Sequence, residues 1–337
     1  KDVSGYSSSE EVQNISEFNP AEELAVTNSR VDGLEARLNN FEAGSFSETT
    51  TASFSVDAVL GAIDGASSET TSLDYQFNIG LSTSFTGEDS LDIAIDNGSS
   101  TASPIGAKMG FDTGSSLVVD GVTYSFPVGG ATMVVGDATD VSATFTGACT
   151  YSAFTDTSLD DCGTGNSIGV GGKGVAASLG YAFDSGFSLA GGVTSGTTEI
   201  LGDAADAFGI EAAYTADTYG LAVAYVSDDG GASAETTYWG VNGFYTFDLA
   251  SLSVGFETEE TSGTDKSGYF VGLSFPEVGP GSVNIGAGTV ENYADSATEY
   301  LLYEASYSYP LNDGMTITPG VFIQETSGDD LTGIAVK

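Results

Sequence analysis

TYGLAVAYVSDDGG, residues 218–231, is the stretch on which the fold turns. Side chains alternate across a strand, so Tyr219, Leu221, Val223 and Tyr225 share one face and Gly220, Ala222 and Ala224 the other. A half-buried strand of a water-soluble sheet turns bulk towards a core and polar groups towards water. Here the bulky face has an aromatic at each end, and the opposite face has almost no side chain. That sorting suits a strand with Leu221 and Val223 in acyl chains, Tyr219 and Tyr225 at the two interfaces, and glycine and alanine towards water.

The same period of two recurs from residue 50 onward. LDYQFNIGL sets Leu73, Tyr75, Phe77, Ile79 and Leu81 against Asp74, Gln76 and Asn78. WGVNGFYTF sets Trp239, Val241, Tyr245 and Phe247 against Gly240, Asn242 and Thr246. VAASLGYAF, YFVGLSF and LLYEASYSY repeat the pattern, and further runs begin near Phe54, Leu91, Ile105, Val122, Phe187, Phe208, Leu252, Val283, Met315 and Leu331. Polar turns such as FDSG, TADT and NDG separate them, and no helical pattern intervenes, which predicts antiparallel hairpins. At roughly 18 residues per strand and connection, the region accommodates about 16 strands, more than an ordinary sandwich and usual for a closed membrane barrel. The expectation is an all-β transmembrane antiparallel barrel over 47–337, preceded by a polar segment, 1–20, and a short helix, 21–46.

Composition excludes several classes. The chain has 337 residues, with 7 Lys+Arg, 48 Asp+Glu and no His. A formal charge of −41 argues against nucleic acid, which needs clustered bases. Disorder is contradicted by 40% hydrophobic residues with 16 Tyr and 19 Phe. Charged residues make up 16%, below the roughly 25% of soluble domains. No apolar run of ~18 residues is present to form a spanning helix. The polar opening reads like that of a mature secreted protein.

In 21–46, Leu24, Val31 and Leu38 are seven apart, and Leu34 and Phe41 fall at the other core position of the heptad. Thr27 and Gly33 weaken the pattern. An amphipathic helix packed on its own domain fits these positions, as does a trimerisation coiled coil, the expectation adopted here.

RVDGLEARLNNFEAGSFSETT (30–50), followed by TASFSVDAVLGA, resembles the junction of coiled coil and barrel in cyanobacterial outer-membrane porins, the OprB-like or iron-uptake group. DVSGYSSSEEVQNISEFN is similar to the mature N-terminus of marine members, and VDGVTYSFPVGGATMVVGD (119–137) resembles the paired strands before the family's long loop. The resemblance implies an outer-membrane barrel of a Gram-negative, cyanobacterial cell. It also implies a homotrimer in lipid that passes inorganic ions and small hydrophilic solutes, sugars among the candidates. Two departures stand out. EFNP runs straight into AEELAV without the wall-gripping S-layer-homology domain through which members hold peptidoglycan, and GIAVK lacks the terminal aromatic, suggesting an incomplete last strand.

No catalytic site emerges. Without His there is no His-based triad or His metal site, and no cofactor or metal is expected. GVGGKG (169–174) matches a dinucleotide motif but is followed by an alternating strand where a helix is needed. DTSLDD (156–161) and SDDGG (227–231) lack the ligand spacing of a calcium loop. An enzyme within a barrel is thereby disfavoured. A secreted structural or adhesion β-protein is the alternative.

Cys149 and Cys162 lie within 137–170, the longest stretch with little strand pattern. Their even count and polar context suggest a loop disulfide, with two free thiols as the alternative. The loop either enters the lumen or forms an external flap. From residue 47 on, 39 acids face only Lys108, Lys173, Lys266 and Lys337. Parity places Asp57, Asp74, Glu211, Glu257 and Glu304 inward with Lys108 and Lys266, and the loop adds Asp137, Asp140, Asp156, Asp160 and Asp161 if it enters. Carboxylates lining a narrow passage favour cations. These residues are therefore the expected pore lining, with moderate cation preference.

Overall fold

The computed structural model describes residues 28, 30, 31, 50–66, 69–99, 103–111, 114–170, 174–197, 206–229, 234–294 and 296–337. The chain falls into two units, Lys1–Thr51 and Ala52–Lys337. Asn28, Arg30 and Val31 of the first are helical. The heptad positions Leu24, Leu34, Leu38 and Phe41 lie outside the described residues.

The strands begin with β1 (Thr50–Asp64), β2 (Ser72–Thr83) and β3 (Ser90–Gly98), followed by the helix α1 (Pro104–Lys108). Then come β4 (Val118–Val128), β5 (Ala131–Thr139), β6 (Gly174–Ala182), β7 (Phe187–Ser195), β8 (Asp206–Thr215) and β9 (Tyr219–Asp228). The series continues with β10 (Thr236–Thr246), β11 (Ser251–Thr261), β12 (Thr264–Val278), β13 (Gly281–Thr289) and the two-residue β14 (Tyr293–Ala294). It ends with β15 (Leu301–Asn312), β16 (Met315–Ile317), β17 (Pro319–Gln324) and β18 (Leu331–Val336). β16 and β17 are one strand interrupted at Thr318, and β14 is a ledge against β12. What remains is a closed antiparallel barrel of 16 strands in sequence order. β18 returns to β1, with Leu60 opposite Val336 and Asp64 opposite Thr332. Closure removes the unpaired edge that an open sheet would expose.

The alternation is realised strand by strand. In β9, Tyr219 and Leu221 are exposed on the outside while Gly220, Ala222 and Ala224 are buried within. The outer face is predominantly apolar, with Phe54, Ile210, Trp239 and Ile334 each more than half exposed. Outward aromatics gather in two bands. Near one rim Phe187, Tyr214 and Tyr219 touch in series, with the Tyr181–Phe183 and Tyr245–Phe247 pairs beside them. Nearer the other rim run Phe208, Tyr225 and Trp239. From Tyr219 to Tyr225 is about 20 Å along the strand.

The first rim carries tight connections such as Gly129–Gly130 and Phe183–Gly186; the second carries the long connections that include 103–111 and 140–170. No helix among the described residues is long and apolar enough to cross a membrane.

The run near Ile105 does not form the strand its apolar residues suggested. Pro104 occupies the first turn of α1, where its fixed φ is already helical. The Ser103 hydroxyl caps the helix by accepting the Gly106 N–H at 3.2 Å. The Ser-Pro start signal was legible, and the local cap outweighed β propensity.

Candidate functional site: an acidic passage beside the lumen segment

Segment 140–170 enters the barrel and lies against the inner wall. Inward glycines give it room. A Cβ on Gly240 would overlap Ser167, one on Gly255 the Cys162 carbonyl, one on Gly286 the Tyr151 ring, and one on Gly320 the Phe154 ring. The small inner face was expected to meet water. Over much of β6–β17 it instead seats protein, because an irregular backbone can approach a sheet closely only where side chains are missing.

Such a backbone must find partners for its N–H groups, and the wall supplies them. Glu211 of β8 accepts Thr146 N–H at 2.6 Å and Gly147 N–H at 3.0 Å. Asn242 of β10 accepts Ala148 N–H at 2.8 Å. Glu304 of β15 accepts Phe154 N–H at 2.7 Å, Thr155 N–H at 3.0 Å, and the hydroxyls of Tyr151 and Thr155. On the return course Glu257 of β11 accepts Asn166 N–H at 3.1 Å and the Ser167 hydroxyl at 2.6 Å.

Cys149 and Cys162 are joined, with Cα atoms 5.8 Å apart. Closing a ring across 13 positions contributes about 3 kcal/mol in the chain-entropy account. Asp161 and Cys162 both hold positive φ, turning the segment back on itself. Beneath this ring is a dry core. Phe154, Leu159 and Cys162 pack with Ile105, Met109 and Phe111 from α1 and its exit, and with the wall residues Phe270, Leu302 and Phe322.

Water has the other side. The inward residues Ser53, Ser55 and Asp57 of β1 are exposed, and Gln76 and Asn78 of β2 continue the polar surface. Asp92 and Asp96 of β3 lie on the same side, opposite Ser82 and Asn78 in register. A cavity of about 270 Å³ is lined by Asp57, Gln76, Thr155, Asp156, Asp160 and Lys337 among others. A second, of about 500 Å³ on the long-connection side, is lined by Asp156, Asp160, Asp161, Glu257, Glu259, Lys266 and Glu291 among others. Asp156 and Asp160 border both, so the same two carboxylates face the cavity on the long-connection side and the one against the polar wall.

Charge around these cavities is unevenly held. Asp160 is open to lumen water, yet the surrounding barrel desolvates it and its neighbours Asp161 and Asp156 repel a further charge, raising its pKa to about 6. Asp161 is raised by the same desolvation and by Asp156 and Asp140. Lys266 pairs with Glu259 at 2.5 Å. Lys108 donates to Gln324 at 2.5 Å, and burial lowers its pKa against the opposing pull of Glu291.

The expected pore lining therefore divides. Asp57, Asp156, Asp160 and Asp161 border the cavities. Asp74, Glu211, Glu257 and Glu304 do face inward, but at 1–3% exposure they are bonded to chain segments inside the barrel and are not wetted. Of these four, Glu257 alone borders one of the two acidic cavities. Asp74 takes the Ser103 N–H at 3.2 Å, which holds α1. Asp140 turns the start of the segment by accepting the Ser142 N–H. Asp137 lies outside the expected loop: it belongs to β5, is exposed, and shares the outward register of Val122. The ladder extended further than its polar residues suggested. Asp92 and Asp96 were missed, although the alternation in LDIAID carried the signal. No group of three metal-ligating side chains occurs among the described residues.

No protein-family model matches the chain, and no curated protein matches it. Among solved structures, the chain resembles a high-pH structure of Pseudomonas putida OprB at 12% identity and TM-score 0.68, covering 86% of this chain and 93% of that one. It also resembles a porin refined at 1.8 Å resolution, at 17% identity and TM-score 0.59 over 85% and 99%. An engineered mutant of the Rh. blastica porin gives 14% identity and TM-score 0.53 over 85% and 99%. At these identities the likeness is one of fold.

Proposed function

We propose that this chain is an outer-membrane porin for passive diffusion of inorganic ions and small hydrophilic solutes. One observation carries the reading: a closed barrel whose outer band is apolar while acid-lined cavities open inside it. A surface with Phe54, Ile210, Trp239 and Ile334 exposed is costly in water and at home in lipid. Closure is what lipid demands of strands. The likeness to porin structures supports the same reading; the resemblance of segment 30–50 to cyanobacterial porins is what extends the proposal to a Gram-negative, cyanobacterial outer membrane and a homotrimer joined by the N-terminal helix.

The secreted or adhesive β-protein is the competing reading, and a solubility test separates the two. The folded, heat-modifiable protein is expected to require detergent. Folded protein that stays monodisperse without detergent rules out the porin.

The conduction path is also proposed to prefer cations moderately. At physiological salt the Debye length is ~8 Å, so only acids at the path itself act on an ion within it. The change Asp156→Asn with Asp160→Asn and Asp161→Asn is expected to lower the cation-to-anion permeability ratio by roughly half in dilute salt. Reversal potentials across a planar bilayer measure it, and an unchanged ratio removes these acids from the conduction path. The sign with pH follows from Asp160. Its raised pKa leaves it charged above about 6 and neutral below, so cation preference is expected to decline as pH falls through that value.

A further inference from the structure

Two of the inward carboxylates read from the sequence as charges acting on ions have a different task. We propose that Glu211 and Glu304 are positioning residues that set the width of the passage by holding the lumen segment through its backbone. The inference rests on the channel reading above and assigns these residues a role that reading does not contain.

Each carboxylate meets two consecutive N–H groups with its two oxygens. Glu211 spans Thr146 and Gly147, and Glu304 spans Phe154 and Thr155. An ionised carboxylate only accepts, so two adjacent donors fit it as a fork. Both residues stand at 3% exposure, and neither borders the two acidic cavities. The N–H groups that Glu304 holds lead directly to the acidic cavities, while those that Glu211 holds fix the segment nearer its start. Thr155 borders the smaller cavity, and Asp156, next in the chain, borders both. The peptide joining Thr155 to Asp156 is held by the Asp156 N–H on the Lys108 carbonyl at 2.9 Å. Releasing Glu304 therefore frees the residue that carries Asp156. Most of these bonds run to backbone, so the wall fixes where the segment lies whatever side chains it presents.

Alanine and glutamine remove the same charge but leave different acceptors, which makes the test selective. Glu304→Ala and Glu304→Gln, with Glu211→Ala and Glu211→Gln as an independent pair, are compared with the parent as single channels in potassium chloride. Circular dichroism and heat-modifiable migration monitor the barrel. Conductance and open-channel noise are expected to rise in the order parent, glutamine, alanine, with the alanine variants reaching roughly half again the parent conductance as the path widens. Cation preference in the glutamine variants is expected to stay near that of the parent. Parent-like conductance with an equal fall of cation preference in glutamine and alanine variants overturns the proposal, since the carboxylates would then act by charge alone. Parent-like behaviour of all four variants overturns it as well. The glutamine variants, close to isosteric, decide the matter should an alanine variant fail to fold. A parent that never conducts rejects the channel reading itself, a different outcome from any of these.

Discussion

Leu221→Arg is expected to destabilise the folded barrel in lipid by about 2–4 kcal/mol, the cost of a cationic side chain on the lipid face near mid-membrane. Leu221 is 52% exposed on the outside of β9, between Tyr219 and Tyr225. Its ladder partners Tyr214 and Gly243 offer no carboxylate to meet the guanidinium. Ser55→Arg is the control. Ser55 is exposed on the inner face of β1 beside Asp57, where water solvates a new charge, and its substitution is expected to stay within about 0.5 kcal/mol. Urea unfolding in phospholipid vesicles measures both. The contrast between the two sites carries the information, because in a water-soluble barrel the replacement at an exposed Leu221 costs no more than the control. Equal small effects at both positions reject the lipid-facing assignment.

The second large effect is expected at the seat of the lumen segment. Gly255→Val places a branched side chain where the Cys162 carbonyl lies, and a backbone atom cannot swing aside as a flexible side-chain tip can. Overpacking of this kind costs about 1–3 kcal/mol or more, and the segment relieves it by lifting from the wall. The barrel ladder itself is spared: Gly255 pairs with Asn242 and Phe270 through backbone, and its neighbours Val254 and Phe256 remain on the outside. The Cys149–Cys162 bond reports the change, since Cys162 is fully buried and Cys149 half-buried, so that opening of the segment exposes both sulfurs to a thiolate. Each 1.4 kcal/mol off the opening free energy accelerates reduction by dithiothreitol about tenfold, so an increase of roughly one to two decades is expected. An unchanged reduction rate in a folded variant shows that Gly255 does not seat the segment.

What the sequence by itself determined was the face of each strand residue. Pleating is local, so the bulky set Tyr219, Leu221, Val223, Tyr225 and the small set between them were assigned from spacing alone, and the same rule turned Glu211, Glu257 and Glu304 inward. The approximate strand number followed from the spacing of turns. The start of α1 was also local, written in Ser103 and Pro104, though the apolar run around Ile105 concealed it.

The tertiary structure decided what an inward position means. A small inner face serves equally for open water and for a closely seated segment, and only the course of 140–170 chooses between them. The same holds for the carboxylates. Asp57 and Glu304 have one chemistry and one parity, yet one faces water and the other two backbone N–H groups. That difference arises from contacts across some 150 positions of chain, a separation at which no periodicity in the sequence carries a signal. The acidic cavities at Asp156 and Asp160 exist only because the fold brings a segment between β5 and β6 against walls built from β1 and β2 on one side and from β11 and β12 on the other.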